Sequence, residues 1–233
     1  MTNPIEIDSH GTPIRTEVFY PPAAGNGGAI IIAHGSDGMA EPWASQIRQY
    51  AADLADKGFT ALIPSYFRKT GSAAGPTVLL QAPANLASWV ECVSDTMAYA
   101  RMLPGISRIG LLGFSLGGHI CLLLRGSTTA LVEFFAPELR QLGGLGVAGR
   151  TTPAVQIHHG LSALLVPFSE AEAIAAQLNR ERIAPQVFSY PGATHGFAGS
   201  DPNNATARRS SKDRTLAFFE KHLSEAFKKR AAS

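Results

Sequence analysis

Segments typical of buried strands alternate with segments typical of helices along almost the whole chain of 233 residues. Apolar runs of strand length occupy residues 28–34, 59–64, 108–114, 131–135, 154–158 and 186–190. Between them, apolar side chains recur at helical spacing, as at Ile47, Tyr50 and Leu54. This alternation predicts an α/β fold with a mostly parallel central sheet and helices on both faces. Because no linker or repeat interrupts it, residues 1–233 are predicted to form a single domain.

One turn between a predicted strand and a predicted helix has the pattern of a nucleophile elbow. Residues 113–117 read Gly-Phe-Ser-Leu-Gly, which is G-x-S-x-G with Ser115 at its centre. A nucleophile on so sharp a turn needs small residues two positions before and after it. The backbone amide of Leu116 would then face the negative charge that develops on an attacked carbonyl. A glycine-rich structural turn, or a packed helix pair marked by G-x-x-x-G, is the alternative interpretation.

Composition excludes several other classes of protein. A net charge of +2 gives no electrostatic argument for binding nucleic acid or an acidic membrane. Basic residues gather near the end, at 208–214 and 228–230, where they are predicted to lie on the solvated face and last turn of a helix. The two cysteines, Cys92 and Cys121, lie in apolar helical segments and are expected to be buried thiols. With no signal peptide or membrane span visible, the cytoplasm is the expected location.

Five segments, in chain order, resemble motifs of the dienelactone hydrolase family of α/β-hydrolases. They are the oxyanion loop at 34–35, the aromatic and basic segment 64–71, the nucleophile motif 109–118, the acid loop 159–167 and the histidine loop 191–197. The resemblance extends over nearly the whole chain. It implies an α/β-hydrolase fold and a cofactor-free, metal-free site in which Ser115 is the nucleophile and His195 the base. The best-known members of the family carry cysteine at the nucleophile position, although serine members are also familiar.

The acid loop departs from the family pattern at one position. The family reads H-G-x-x-D-x-x-V-P, and the fifth residue of the corresponding segment here, which begins at His159, is Ala163. In serine hydrolases the acid fixes the tautomer of the catalytic histidine, and its loss costs about 10⁴-fold in kcat. The sequence therefore predicts a hydrolase impaired at the acid position, whether Ala163 is an engineered replacement for aspartate or a natural residue.

Another carboxylate is the alternative to a disabled triad. Glu138 is the best candidate, because it follows the strand after the elbow and could reach the same edge of the sheet. Glu172 is expected to form a capping box with Ser169 at a helix start. The other carboxylates between Ser115 and His195 are less well placed, being inside a strand, on a first helical turn or at the far end of a helix: Glu133, Glu170 and Glu181.

Further residues are predicted to bind the substrate. A loop amide at Gly35 is expected to supply the second oxyanion donor, with His34 shaping that loop. Arg68 and Lys69 are candidates for holding a substrate carboxylate. Tyr66 and Trp43 are candidates for lining the acyl pocket, and core packing is the alternative for the aromatic residues.

The predicted reaction is hydrolysis of a small ester or lactone through an acyl-serine intermediate. The expected partner is a small-molecule substrate, with no nucleic acid or membrane, in a monomer or small homo-oligomer. A binding protein that has lost catalysis, and an acyltransferase that passes its acyl group to an acceptor other than water, are the two rivals. Fold and motif alone do not fix the substrate.

Overall fold

An eight-stranded sheet forms the centre of the computed structural model, which describes residues 3–146 and 151–224. The sheet order is β1-β2-β4-β3-β5-β6-β7-β8. Strands β3 to β8 are parallel to one another, whereas β1 and β2 form an antiparallel hairpin whose second strand pairs with β4. The strands are β1 Asn3–Ser9, β2 Thr12–Phe19, β3 Gly28–Ala33, β4 Thr60–Pro64, β5 Arg108–Phe114, β6 Ala130–Phe134, β7 Ala154–Gly160 and β8 Gln186–Tyr190.

Helices cover both faces of this sheet, so the predicted architecture is confirmed. The helices are α1 Trp43–Asp56, α2 Ala82–Met102, α3 Leu116–Leu123, α4 Phe168–Arg180 and α5 Pro202–Leu223. On one face α1 and α5 bury residues such as Leu54 and Phe219 against the even positions of β3 and β6. On the other face α2, α3 and α4 bury residues such as Trp89, Ile120 and Ile174. The central strands are apolar on both sides because both sides are covered.

Two local features differ from the sequence-based expectations. The hairpin of β1 and β2 was not predicted, although burial alternates along β2 as in a strand with one solvated side. The capping box at Ser169 and Glu172 is wrong, because α4 begins at Phe168 and Pro167 occupies the N-cap position. Ser169 therefore lies inside the first turn, and its side chain does not cap the helix.

The parallel strands bring the predicted site segments to one edge of the sheet. Gly35, Ser115 and His195 follow the carboxyl ends of β3, β5 and β8, and Ala163 follows that of β7. No helix within residues 3–146 and 151–224 has both the length and the apolar character needed to cross a membrane. The basic residues at 228–230 lie outside the described residues.

Candidate active site

Ser115 occupies the sharp turn between β5 and α3. Its φ of 51° and ψ of −118° place a non-glycine residue in a sparsely populated backbone conformation. The Ser115 amide donates a hydrogen bond to the Phe134 carbonyl on β6, 2.8 Å away, which ties the turn to the neighbouring strand. This strained turn carries the side chain at the N-terminus of α3, where the helix dipole favours negative charge.

The glycines on each side of Ser115 are required by close backbone contacts. A Cβ atom on Gly113 would lie 2.4 Å from the Gly117 carbonyl oxygen, and one on Gly117 would lie 2.2 Å from the Ala33 carbonyl oxygen. Separations this short admit no side chain unless the backbone moves. The pattern G-x-S-x-G thus lets α3 start directly against β5 and the end of β3.

That close packing brings the predicted oxyanion donors to Ser115. A Cβ atom on Gly35 would lie 3.4 Å from Ser115 Cβ, so the loop after β3 runs beside the nucleophile. Leu116 is the first residue of α3. The Tyr66 hydroxyl donates to the His34 carbonyl at 2.6 Å, and the two rings stack with centroids 4.0 Å apart. The amides of Leu116 and Gly35 are therefore held on backbone segments that adjoin the Ser115 side chain.

Ser115 and His195 line the same pocket. About 490 Å³ of space lies within it, part of it open to solvent. Burial, with a smaller contribution from nearby His159, lowers the pKa of His195 to about 4, so the imidazole is neutral at pH 7 and can act as a base. No hydrogen bond joins Ser115 to His195 among the described residues, and such catalytic contacts often tighten only with substrate. The pair has the residue types for nucleophilic attack on a carbonyl.

The residue at the predicted acid position has a buried methyl side chain. Ala163 is only 5% exposed and lies in the loop after β7. That loop contacts the His195 loop, because the Ser162 amide donates to the Ala193 carbonyl at 2.9 Å. His195 Nδ1, the atom that a triad acid would contact, is buried and has no hydrogen-bond partner among the described residues. The loop after β7 thus adjoins the loop of His195, and no carboxylate among the described residues is hydrogen-bonded to His195 Nδ1.

Glu138 does not replace the acid in this structure. Its carboxylate pairs with Arg140, while its amide donates to the Glu170 carboxylate at 2.8 Å. Neither Glu138 nor Glu170 contacts His195 by a hydrogen bond. Glu138 follows the carboxyl end of β6, but its carboxylate is hydrogen-bonded to Arg140.

Three of the four predicted substrate-binding residues lie away from the pocket. Arg68 is exposed, lies 3.9 Å from Glu6 of β1 and lines a separate groove that shares Gly38 with the pocket. Lys69 pairs with Glu91 of α2 at 3.3 Å. Tyr66 is fully buried behind His34. The prediction for these residues is corrected because the turn at 66–69 faces α2 and β1. Trp43, by contrast, lines the pocket and packs against Gly196.

Comparisons with known proteins identify the family of this chain. The family model of the Dienelactone hydrolase family matches residues 14–223. The chain belongs to this family. A Synechocystis sp. protein described as a carboxymethylenebutenolidase is 27% identical over 215 residues, covering 84% of this chain and 86% of that protein.

Solved structures support the fold of this dienelactone hydrolase family member. A dienelactone hydrolase from Anabaena variabilis has a TM-score of 0.74 at 15% identity, covering 96% of this chain and 98% of the other. Est1E from Butyrivibrio proteoclasticus has a TM-score of 0.68 at 19% identity, covering 93% and 98%. At these identities the likeness establishes the α/β-hydrolase fold alone.

Several residues of the pocket in this family member were not found from the sequence. Phe135, directly after β6, places its ring 4.8 Å from the His195 ring between centroids. Gln46 and Leu165 also line the pocket. For Phe135, the aromatic pair at 134–135 at the end of a predicted strand was an available signal. A neighbouring groove shares Trp43 and Gln46 with the pocket and is bordered by three cations of α5, which are Arg208, Arg209 and Lys212.

Proposed function

We propose that this protein is a serine hydrolase that cleaves a small ester or lactone through an acyl-Ser115 intermediate. The observation that carries the proposal is the strained backbone of Ser115 at the start of α3, in a pocket shared with His195. Membership of the Dienelactone hydrolase family favours ester and lactone chemistry. Ala163 makes the expected turnover slow.

The proposed reaction follows from the roles of these groups. Ser115 Oγ attacks the carbonyl carbon while His195 Nε2 accepts the hydroxyl proton. The Leu116 and Gly35 amides stabilise the oxyanion, and His195 then donates its proton to the departing alcohol. Water releases the acyl group by the same steps. Without a carboxylate at position 163, the imidazolium that forms in each step lacks a countercharge, which raises both barriers.

Labelling with a fluorophosphonate probe tests this proposal. We expect covalent modification of Ser115, identified by peptide mass spectrometry, and its loss in Ser115→Ala. Ser36→Ala is the control variant, because this hydroxyl lines the same pocket but is not the proposed nucleophile. Labelling of another residue, or none at all in a folded protein, would refute the assignment of the nucleophile.

One observation favours a second candidate, a binding protein that keeps the pocket without catalysis. The buried His195 Nδ1 has no hydrogen-bond partner in the part of the chain that the structure describes, and Ala163 carries no acid. Such a protein would bind esters without labelling at Ser115.

Product analysis with added alcohol separates the acyltransferase alternative, because a transferase would form a new ester in place of the free acid.

The pH profile should reflect the low pKa of His195. The base must be neutral, and burial lowers its pKa to about 4, so kcat/KM should rise through about pH 4 and stay flat from about pH 5.5 to 7.5. A carboxylate introduced by Ala163→Asp favours the imidazolium and should move the rise upward by about 1–3 pH units. Initial rates on a short-chain p-nitrophenyl ester across this range would check both profiles. If kcat/KM of the parent protein decreased as the pH was lowered from 6.5 to 5.5, the expected neutral imidazole would be contradicted.

A further inference from the structure

His195 Nδ1 requires a hydrogen-bond acceptor that the family pattern does not supply here. The atom is buried without a partner among the described residues. If His195 Nε2 takes the Ser115 proton, Nδ1 carries the imidazole hydrogen. A buried donor left without an acceptor is destabilising. With alanine at position 163, a different buried group must hold this ring in place if His195 acts as a base.

Within the described residues, five other buried side-chain atoms are without a hydrogen-bond partner: Tyr50 Oη, Asp53 Oδ2, His119 Nε2, Glu133 Oε1 and His159 Nδ1. Tyr50 and Asp53 lie on α1, and Asp53 Oδ2 is 2.8 Å from Lys212 Nζ. Glu133 lies on β6, where burial raises its pKa to about 8, and its other oxygen accepts from the Ala136 amide. His119 lies on α3 and bonds to the Pro137 carbonyl. Of the five residues, His159 is the one on β7, the strand whose end contacts the backbone of the His195 loop.

A hydrogen bond fixes His159 in the tautomer whose Nδ1 is an acceptor. Its Nε2 lies 2.8 Å from the Val166 carbonyl oxygen, which can only accept, so Nε2 carries the hydrogen and Nδ1 is unprotonated. The residue is fully buried, and this burial lowers its pKa, which keeps the ring neutral. Phe168 packs edge-on against it with a centroid separation of 5.8 Å, which restrains the ring further.

The segment that carries His159 is in backbone contact with the segment that carries His195. A Cβ atom on Gly160 would lie 2.3 Å from the Ala193 carbonyl oxygen and 3.0 Å from that of Thr194. His159 is also near enough to His195 to contribute to the lowering of its pKa, as a second imidazole would. A donor Nδ1 and an acceptor Nδ1, each without a partner among the described residues, therefore lie on adjoining segments.

We propose that His159 is the positioning residue of His195, with its unprotonated Nδ1 accepting the hydrogen bond of His195 Nδ1–H through one water molecule. This inference rests on the proposed function, and it describes a Ser-His-His arrangement. A neutral imidazole fixes the tautomer and orientation of His195 but supplies no negative charge to stabilise the imidazolium. The arrangement is therefore weaker than one with a carboxylate.

A double-mutant cycle between positions 159 and 163 tests the proposal. His159→Phe keeps a ring of similar size and removes the acceptor. In the parent background we expect it to lower kcat about 10- to 100-fold with little change in KM, the size of effect seen when the orienting partner of a histidine is lost. In the Ala163→Asp background, where the new carboxylate holds His195, the loss should shrink to about 3-fold or less. Equal losses in both backgrounds would indicate a structural role and overturn the proposal.

Two further measurements keep this test decisive. His119→Phe removes another buried imidazole with an unpartnered nitrogen and should change kcat by the same factor in both backgrounds. Side-chain ¹⁵N NMR reads the tautomer of His195 without any turnover, and His159→Phe should convert a single Nδ1–H tautomer into a mixture. An unchanged tautomer would overturn the pairing. Failure of the proposed function would look different, because Ser115 would then stay unlabelled by the probe in both backgrounds.

Discussion

Ala163→Asp should raise kcat for a short-chain p-nitrophenyl ester by about 10²- to 10⁴-fold, the reverse of the loss seen when a triad acid is removed. The position lies in the loop after β7, 5% exposed, and that loop is bonded to the loop of His195. The buried Nδ1 of His195 is without a partner among the described residues and would become the partner of the new carboxylate. The gain should appear in kcat, because the acid acts on the imidazolium that forms during reaction.

Ala163→Asn is the matched control for this prediction. Asparagine has the shape of aspartate but no charge, so it cannot stabilise the imidazolium by charge and does not enforce one tautomer of His195. The gain in kcat should therefore be much smaller. Equal rates for the parent, Asp and Asn proteins would show that position 163 is not the acid position. If those equal rates were substantial, Glu138→Gln would be the next variant, to ask whether Glu138 leaves Arg140 when substrate binds.

Local patterns made most of the fold and part of the site predictable. Apolar runs of strand length identify β3 to β7 because buried parallel strands are apolar on both sides, whereas the edge strand β8 is largely exposed. The spacing of Gly113 and Gly117 around Ser115 identifies the elbow, since the contacts that require glycine involve the same short segment and the adjacent strand. Strand ends in a parallel sheet share an edge, so the approach of His195 to Ser115 follows from the alternation itself.

Contacts between distant segments explain the residues that sequence reasoning misassigned. The turn at 66–69 directs Lys69 toward Glu91 and Ser9, and neither contact leaves a sign in the turn's own sequence. Tyr66 is an aromatic residue of the type that lines pockets, but its hydroxyl donates a hydrogen bond to the His34 carbonyl. The hairpin of β1 and β2 was missed because its alternation is polar on one side, unlike the apolar runs of the parallel strands. Trp43 reaches the pocket because Gly196 leaves room for its ring.

Gly117→Ala should destabilise the fold and reduce the remaining activity together. A Cβ atom at this position would lie 2.2 Å from the Ala33 carbonyl oxygen and 2.4 Å from that of His34, both backbone atoms that cannot rotate away. The start of α3 would have to move from the end of β3, at a cost of about 3 kcal/mol or more in the free energy of unfolding. In a domain of this size that corresponds to a fall in Tm of about 6–12 °C.

The same displacement should separate the two proposed oxyanion donors, because Gly117 contacts the strand that leads into Gly35. Loss of one donor typically lowers kcat by about 10²- to 10³-fold, so Gly117→Ala should lose activity even at temperatures where it remains folded. Gly25→Ala is the control, since its Cβ would meet its nearest neighbours at 3.5 and 3.6 Å, an ordinary contact distance, and Tm and kcat should stay close to the parent values. Calorimetry would give Tm, and initial rates would give kcat, for the parent, Gly117→Ala and Gly25→Ala proteins. A Gly117→Ala protein with parental Tm and kcat would mean that the contact between α3 and β3 is not what aligns the amides of Leu116 and Gly35.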